Sequence, residues 1–238
     1  MMHWNEEQLA FLRDAAAHST YYQTIAERIA PQLPPRAHLC DAGCGTGGLS
    51  LALLPYCARV TAIDCSEAAI AELRRLLPPA DLTALCADVE ASEPERPYDA
   101  MVFCLFGRTE DALRIAARQC RGTVFLVKRD YTHHRFSAGR VSLGEYTAAH
   151  AEQVLRERGI PFRVERFTAE FGQPFRSLAA AERFFALYDR SGGRALSSEE
   201  IAARLTAGPS AELPYYLPHE KRLCLFTFRT EDIPEELP

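Results

Sequence analysis

Short apolar runs alternate with longer stretches of helical period through the first two-thirds of the chain. The runs at 37–40, 59–63, 82–87, 100–105 and 122–128 have strand length. Between them, 48–54, 66–77 and 109–120 space their apolar residues as helices do. Ser66 is placed to cap the second of these and Pro78-Pro79 to stop it. Strands separated in this way by helices predict a parallel sheet covered on both faces.

Two regions fall outside that repeat. Residues 5–30 predict two helices, with Tyr22, Ile25 and Ile29 forming one apolar stripe that Pro31 ends. After residue 128 comes a basic, aromatic loop, RDYTHHRFSAGR, then a helix over about 143–157 ended by Gly159. Two more strands are expected at 163–171 and 222–228. Between them Leu178, Ala181, Phe185 and Tyr188 recur at helical spacing, and 197–207 opens another helix capped by Ser197 or Ser198. The expected organisation is an N-terminal helical cap at 1–35 and a main domain at 36–238 with a helical insertion at about 174–218, together one structural domain. The Pro- and Glu-rich end, from Asp232 onward, is expected to fray.

Composition narrows the class. With 238 residues, 47% of them hydrophobic, the chain can bury a full core. A net charge of −5 argues against a phosphate-tracking surface, so a small-molecule or protein partner is favoured over nucleic acid. The start, MMHWNEEQLAFLRDAAAHS, carries acids among its apolar residues and lacks the basic and apolar blocks of a secretory signal. No apolar run approaches the roughly 20 residues that cross a bilayer. A cytoplasmic protein without membrane contact is therefore expected, as a monomer or homodimer. Its eight cysteines are expected to stay reduced, with Cys40, Cys65, Cys86, Cys104 and Cys224 packed as buried thiols. Cys40 and Cys44 straddle a glycine turn rather than forming a zinc knuckle, and no metal site is expected.

The chemistry concentrates after the first strand, in Leu39-Cys-Asp-Ala-Gly-Cys-Gly-Thr-Gly-Gly-Leu-Ser. Gly43, Gly45 and Gly47 allow a tight turn and close approach of a ligand to the backbone, and the following helix offers free N–H groups. Gly43-x-Gly45-x-x-Gly48 also satisfies the loose dinucleotide pattern, so the glycines alone leave two cofactors open. Three acids tilt the choice. Asp41 would repel a pyrophosphate but attract the ammonium and sulfonium of a cationic cofactor. Asp64, ending the second strand beside Cys65, can accept two ribose hydroxyls. Asp88, ending the third, can take an adenine amino group, with Val89 supplying a backbone N–H to the ring.

With these acids in order, and with Pro97-Tyr-Asp-Ala-Met-Val-Phe as a fourth strand, the stretch from about 39 to 128 resembles the class I SAM-dependent methyltransferase family. The resemblance implies a Rossmann-like α/β fold, a doubly wound seven-stranded sheet whose last strand is antiparallel, with N-terminal helices and a helical lid before that strand. It implies S-adenosylmethionine (SAM) as cofactor and S-adenosylhomocysteine as product. Asp41 and the loop glycines would hold the methionine end, Asp64 the ribose and Asp88 the adenine. Tyr22 is expected to close over the cofactor and Cys104 to pack beside it.

Methyl transfer is an in-line displacement, so the enzyme mainly aligns the reacting atoms, and a base helps only where the acceptor must lose a proton. The run Phe103-Cys-Leu-Phe-Gly107 lacks the polar-Pro-Pro-aromatic motif of amino-methylating enzymes acting on nucleobases, and Cys104 lacks the context of a cytosine C5 nucleophile. On the acceptor side, Lys128, Arg129, Tyr131, His133, His134 and Arg135 crowd the loop after the fifth strand and can position an anionic substrate, with His133 or His134 as base. The expected activity is methylation of a small molecule. The rivals are a protein or peptide methyltransferase and a non-catalytic SAM-binding protein. An NAD-dependent oxidoreductase is disfavoured by Asp41 and Asp88.

Overall fold

A computed structural model of the chain describes residues 4–76 and 79–235. Five strands follow the predicted runs: β1 (His38–Ala42), β2 (Arg59–Asp64), β3 (Leu82–Cys86), β4 (Tyr98–Cys104) and β5 (Cys120–Arg129). The helices α3 (Gly48–Leu53), α4 (Glu67–Arg75) and α5 (Thr109–Gln119) lie between them. Ser66 caps α4 through a hydrogen bond from the Ala69 amide. The predicted helix end at Leu77 and the stop at Pro78 lie outside the described residues.

The main sheet has seven strands in the order β3-β2-β1-β4-β5-β10-β6, where β6 is Arg163–Glu170 and β10 is Glu220–Arg229. Strands β1 to β5 pair in parallel, and β10 runs antiparallel to both β5 and β6. This is the expected Rossmann-like architecture with an inverted last strand. Strand alternation divides the core. Met101, Phe103, Val124, Leu126, Cys224 and Phe226 pack on the face covered by α5 and α6 (Ala148–Glu157). Leu39, Val102, Phe125, Val127, Leu223 and Leu225 pack on the other, against α2 (Tyr21–Ile29) and α3.

The N-terminal region forms two helices, α1 (Glu6–Ala17) and α2, and their faces go to different places. Helix α2 lays Tyr21, Ile25, Ala26 and Ile29 on the main sheet's second face. Helix α1 instead joins a third cluster, where Phe11 meets Phe175 and Phe184 edge-on at 6.0 and 5.3 Å. That cluster belongs to the segment between β6 and β10, which contains α7 (Leu178–Tyr188) and α8 (Ser198–Ala202).

The expected helical insertion holds α7 and α8 and contains strands as well. Strands β7 (Gln173–Phe175), β8 (Thr206–Ala207) and β9 (Tyr215–Leu217) form a second, three-stranded sheet in the order β7-β9-β8. The predicted helix at 197–207 is cut to one short turn because Thr206 and Ala207 pair with Tyr216 and Tyr215. The fraying expected from Asp232 onward is corrected for its first residues, since Thr230–Asp232 make a 3-10 turn and Ile233 is buried in the first core cluster, while residues 236–238 lie outside the described residues. Among the described residues, no helix is long and apolar enough to cross a membrane.

Candidate active site

The glycine loop turns between β1 and α3 with Gly43, Gly45 and Gly47 all at positive φ (72°, 54° and 75°). Gly47 takes this left-handed conformation as the N-cap of α3. Gly43 has a second reason to lack a side chain, since a Cβ there would run into the Phe106 ring. Space for a Cβ at Gly45 is open, with no atom within 4 Å, so the middle of the loop faces free volume.

Asp41 is buried at the end of β1 and accepts the Ser50 hydroxyl from α3 at 2.6 Å. Burial raises its carboxyl to about 6, and the nearby Asp64 adds to the rise against the Ser50 hydrogen bond. Asp64, half-buried at the end of β2, accepts the Gly45 amide on Oδ2 (2.9 Å) and the Ser66 amide on Oδ1 (2.8 Å). Both oxygens expected to meet ribose hydroxyls thus already clasp the loop and the start of α4. Each oxygen keeps a second lone pair for a ligand.

Asp88 is exposed, with Oδ1 accepting the Glu90 amide at 2.9 Å. Val89 beside it is buried, its carbonyl accepting Gln119 Nε2 at 2.6 Å. Cys65 is exposed, and its thiol is raised by partial burial and then by the carboxylates of Asp64 and Asp88. The five cysteines expected to be buried therefore divide. Cys40 and Cys224 are buried and Cys104 is half-buried, but Cys65 and Cys86 are exposed, because the ends of β2 and β3 lie at the open edge of the sheet.

Tyr22, Asp41 and Cys104 come together. The Tyr22 hydroxyl is raised by burial, by Cys104 and by Asp41, and the Cys104 thiol is raised to about 12 by burial and by Asp41. A thiol held protonated in this way is no nucleophile. Tyr21, Tyr22 and Phe171 stack over this part of the sheet, with Tyr21 4.5 Å from Phe171 and 5.2 Å from Tyr22 between ring centroids.

The basic loop separates where strand alternation acts on it. Lys128 points into the α5/α6 face, fully buried, and donates to the carbonyls of Phe106 (3.1 Å) and Gly107 (2.8 Å). Its ammonium is lowered to about 8, chiefly by burial. Lys128 anchors the turn that presses Phe106 on Gly43 and does not face the second side of the sheet. Arg129 follows on that second side and is half-buried. His133 lies in a bridge with Ser142, its Nδ1 2.8 Å from Thr132 Oγ1. His134 Nδ1 is 3.1 Å from Ser137 Oγ and its ring 5.5 Å from Phe136. Burial, and then Arg190 and Arg129, lower His134 to about 4.

Two groups escaped sequence reasoning. Lys221, the second residue of β10, sets its Nζ 4.3 Å from the Phe171 ring centroid and 4.7 Å from that of Tyr21. Burial and then Arg129 lower it to about 7. His219 is buried just before it and lowered to about 3 by burial, Lys221 and Arg135. The signal was present: Lys221, Leu223 and Leu225 share one face of a strand read as beginning only at Arg222.

Residues 39–124 match a family model described as a methyltransferase domain. The matched stretch, little more than a third of the chain, is similar to a methyltransferase domain and contains the glycine loop together with Asp41, Asp64 and Asp88. No curated protein matches the chain. Among solved structures, it resembles a candidate type II methyltransferase from Anaeromyxobacter dehalogenans (18% identity, TM-score 0.58, covering 89% of this chain and 97% of that one). It also resembles the YcgJ protein of Bacillus subtilis (13%, TM-score 0.55, covering 87% and 98%). A third is the N-methyltransferase NodS of Bradyrhizobium japonicum WM9 (16%, TM-score 0.50, covering 87% and 93%). At these identities the likeness is one of fold.

Proposed function

We propose that the chain methylates a small molecule, and that SAM lies along the ends of β1, β2 and β3 with its methionine end at Asp41. The residues there suit the group. Three carboxylates meet a cationic cofactor, and the left-handed glycine loop leaves free volume at Gly45. Bound SAM supplies an electrophilic methyl group on a cationic sulfur. Asp41 offers a buried negative charge to the ammonium, and Asp64 accepts ribose hydroxyls on its remaining lone pairs while its clasp on Gly45 and Ser66 keeps the loop closed. Asp88 and the Val89 amide face the adenine, with Cys65 beside them. The protein needs no acid, and its main task is to align acceptor, carbon and sulfur.

The observation favouring a small acceptor is the roof over the next part of the sheet edge. Tyr21 is buried, Tyr22 and Phe171 are half-buried, and all three lie over the strand ends beside Cys104. In this reading α2 and the segment between β6 and β10 form a lid that admits a compact molecule more readily than a folded protein. His133 and His134 stand on the acceptor side of that lid, at the loop after β5.

Calorimetric titration with SAM, S-adenosylhomocysteine and NAD tests the cofactor assignment, and a mass-spectrometric screen of a metabolite extract incubated with SAM tests the acceptor. SAM and S-adenosylhomocysteine are expected to bind and NAD not to. Binding of NAD alone would reject the cofactor, and methyl transfer found only on polypeptides would reject the small acceptor.

A further inference from the structure

The registers of the main sheet put four chemically active side chains on one face at its carboxyl edge. Asp41 pairs with Val102, and Cys104 lies two residues further along β4. Cys104 pairs with Val127, and Arg129 lies two residues further along β5. Arg129 pairs with Leu223, and Lys221 lies two residues earlier on the antiparallel β10, which is one step further out. Because side chains two apart share a face, Asp41, Cys104, Arg129 and Lys221 form one ascending row that leads from the cofactor half to the end of the sheet.

The outer end of that row carries cations without counterions. Neither Arg129 nor Lys221 takes part in an ion pair among the described residues, although both are half-buried. The acids nearby are committed elsewhere: Asp130 faces Arg166 at 4.0 Å, Glu170 receives the Tyr216 hydroxyl and the Gly172 amide, and Asp189 holds Ser191. Lys221 rests instead against the faces of Phe171 and Tyr21, a cation–π arrangement that only partly replaces lost water. Tyr131 and the neutral His219 complete the surroundings, each offering one hydrogen-bond donor. A half-buried cation is stabilised when an anion pairs with it, and a guanidinium presents a fork that fits a carboxylate or phosphate.

We infer that the methyl acceptor carries an oxyanion group, carboxylate or phosphate, received between Arg129 and Lys221 with Tyr131 and His219 beside it. The inference rests on the proposed reading of Asp41 and the loop as the SAM half, since that fixes which end of the row is left for the acceptor. Lys221 loses its proton near neutrality through burial and its neighbour Arg129, so binding of an anion takes up a proton there. Of the other groups facing it, Arg129 repels its charge and Glu170 attracts it, His219 and His134 stay neutral above about pH 5, and the hydroxyls of Tyr21 and Tyr131 and the Cys104 thiol are raised.

The test titrates sodium phosphate and sodium acetate into the protein by calorimetry, at constant ionic strength against chloride, with and without saturating S-adenosylhomocysteine. Saturable binding of at least one oxyanion is expected, and the arm that binds more tightly identifies the group as tetrahedral or planar. Acetate affinity should weaken between about pH 6 and about pH 8 in the wild-type protein and stay flat over that range in Lys221→Gln. Lys221→Gln and Arg129→Gln should each lower oxyanion affinity about tenfold while leaving S-adenosylhomocysteine affinity within about threefold. No preference over chloride in the wild type, or variants that bind as it does, would overturn the inference. So would variants that lose S-adenosylhomocysteine but keep 5′-methylthioadenosine, because the pair would then hold the cofactor's own carboxylate. Failure of the wild type to bind S-adenosylhomocysteine would reject the cofactor reading instead, and the titration without it would still read the cation pair.

Discussion

At the carboxyl edge of the sheet β1, β2 and β3 run out into Asp41, Asp64 and Asp88, whereas β5 and β10 carry Arg129 and Lys221 at the same edge. Each half is strained against its own charge. Asp41 is raised toward the neutral acid and Lys221 lowered toward the neutral amine, both chiefly by burial. Burial of a charge costs free energy unless a partner repays it. In the function proposed above, the repayment is the cationic methyl donor in the acidic half and the oxyanion in the basic half. The contrast teaches that the polarity of a site can be read from which buried groups lack a partner, and Cys104 marks the seam between the two halves.

The largest effect is expected from breaking the acidic half at Asp41. Asp41→Asn keeps the shape but removes the charge proposed to meet the cofactor's ammonium, a charge-assisted contact worth about 3 kcal/mol, so SAM affinity should fall about 100-fold. The same substitution has a pH signature in stability. The folded carboxyl titrates near 6, above its ordinary 3.8, so burial costs nothing below the ordinary value and its full amount above the folded one. From pH 4 to pH 8 the stability of the Asn variant relative to wild type should therefore improve by up to about 3 kcal/mol. A stability difference flat with pH, measured by denaturant unfolding, would show that Asp41 is not the strained group described.

Much of the acidic half was legible in the sequence because it obeys local rules: a strand, three glycines in alternation, a helix, then acids at strand ends. The basic half was less so, for reasons of geometry. The loop RDYTHHRFSAGR drew attention by composition, but strand alternation sends Lys128 and Arg129 to opposite faces, and composition carries no information about facing. Lys221 was hidden by the charged start of β10, Glu220-Lys-Arg, which resembles a loop until its pairing with β6 is seen. Strands β7, β8 and β9 are too short to show a period of two and exist only by pairing with one another. The packing of Phe11 from α1 against α7 spans most of the chain and leaves no local trace.

A smaller effect is expected at Lys128, which links the halves from beneath. Lys128→Met fills similar volume but leaves the Phe106 and Gly107 carbonyls without their donor, which should cost about 1–3 kcal/mol of stability. With that turn loosened, Phe106 presses less firmly on Gly43, so SAM affinity should drop by about threefold, in proportion to a contact that acts through another residue. Equal melting temperatures for variant and wild type would mean that the turn is held by other groups.

The smallest effect is expected at the histidines of the loop after β5. A general base works best when its pKa lies near the working pH, and His134, lowered to about 4 by burial and by two arginines, is a weak proton acceptor at neutrality. His133 is paired with the Thr132 hydroxyl in an edge bridge. Replacing either by Ala should leave SAM affinity unchanged and lower turnover by less than about tenfold once an acceptor is in hand, since general base catalysis contributes about 100-fold or more where it operates. A fall of 100-fold in His134→Ala, with SAM binding intact, would instead assign the base to His134. It would also require the acceptor's proton to be acidic enough for an imidazole of such low basicity to remove it, which would narrow the acceptor further.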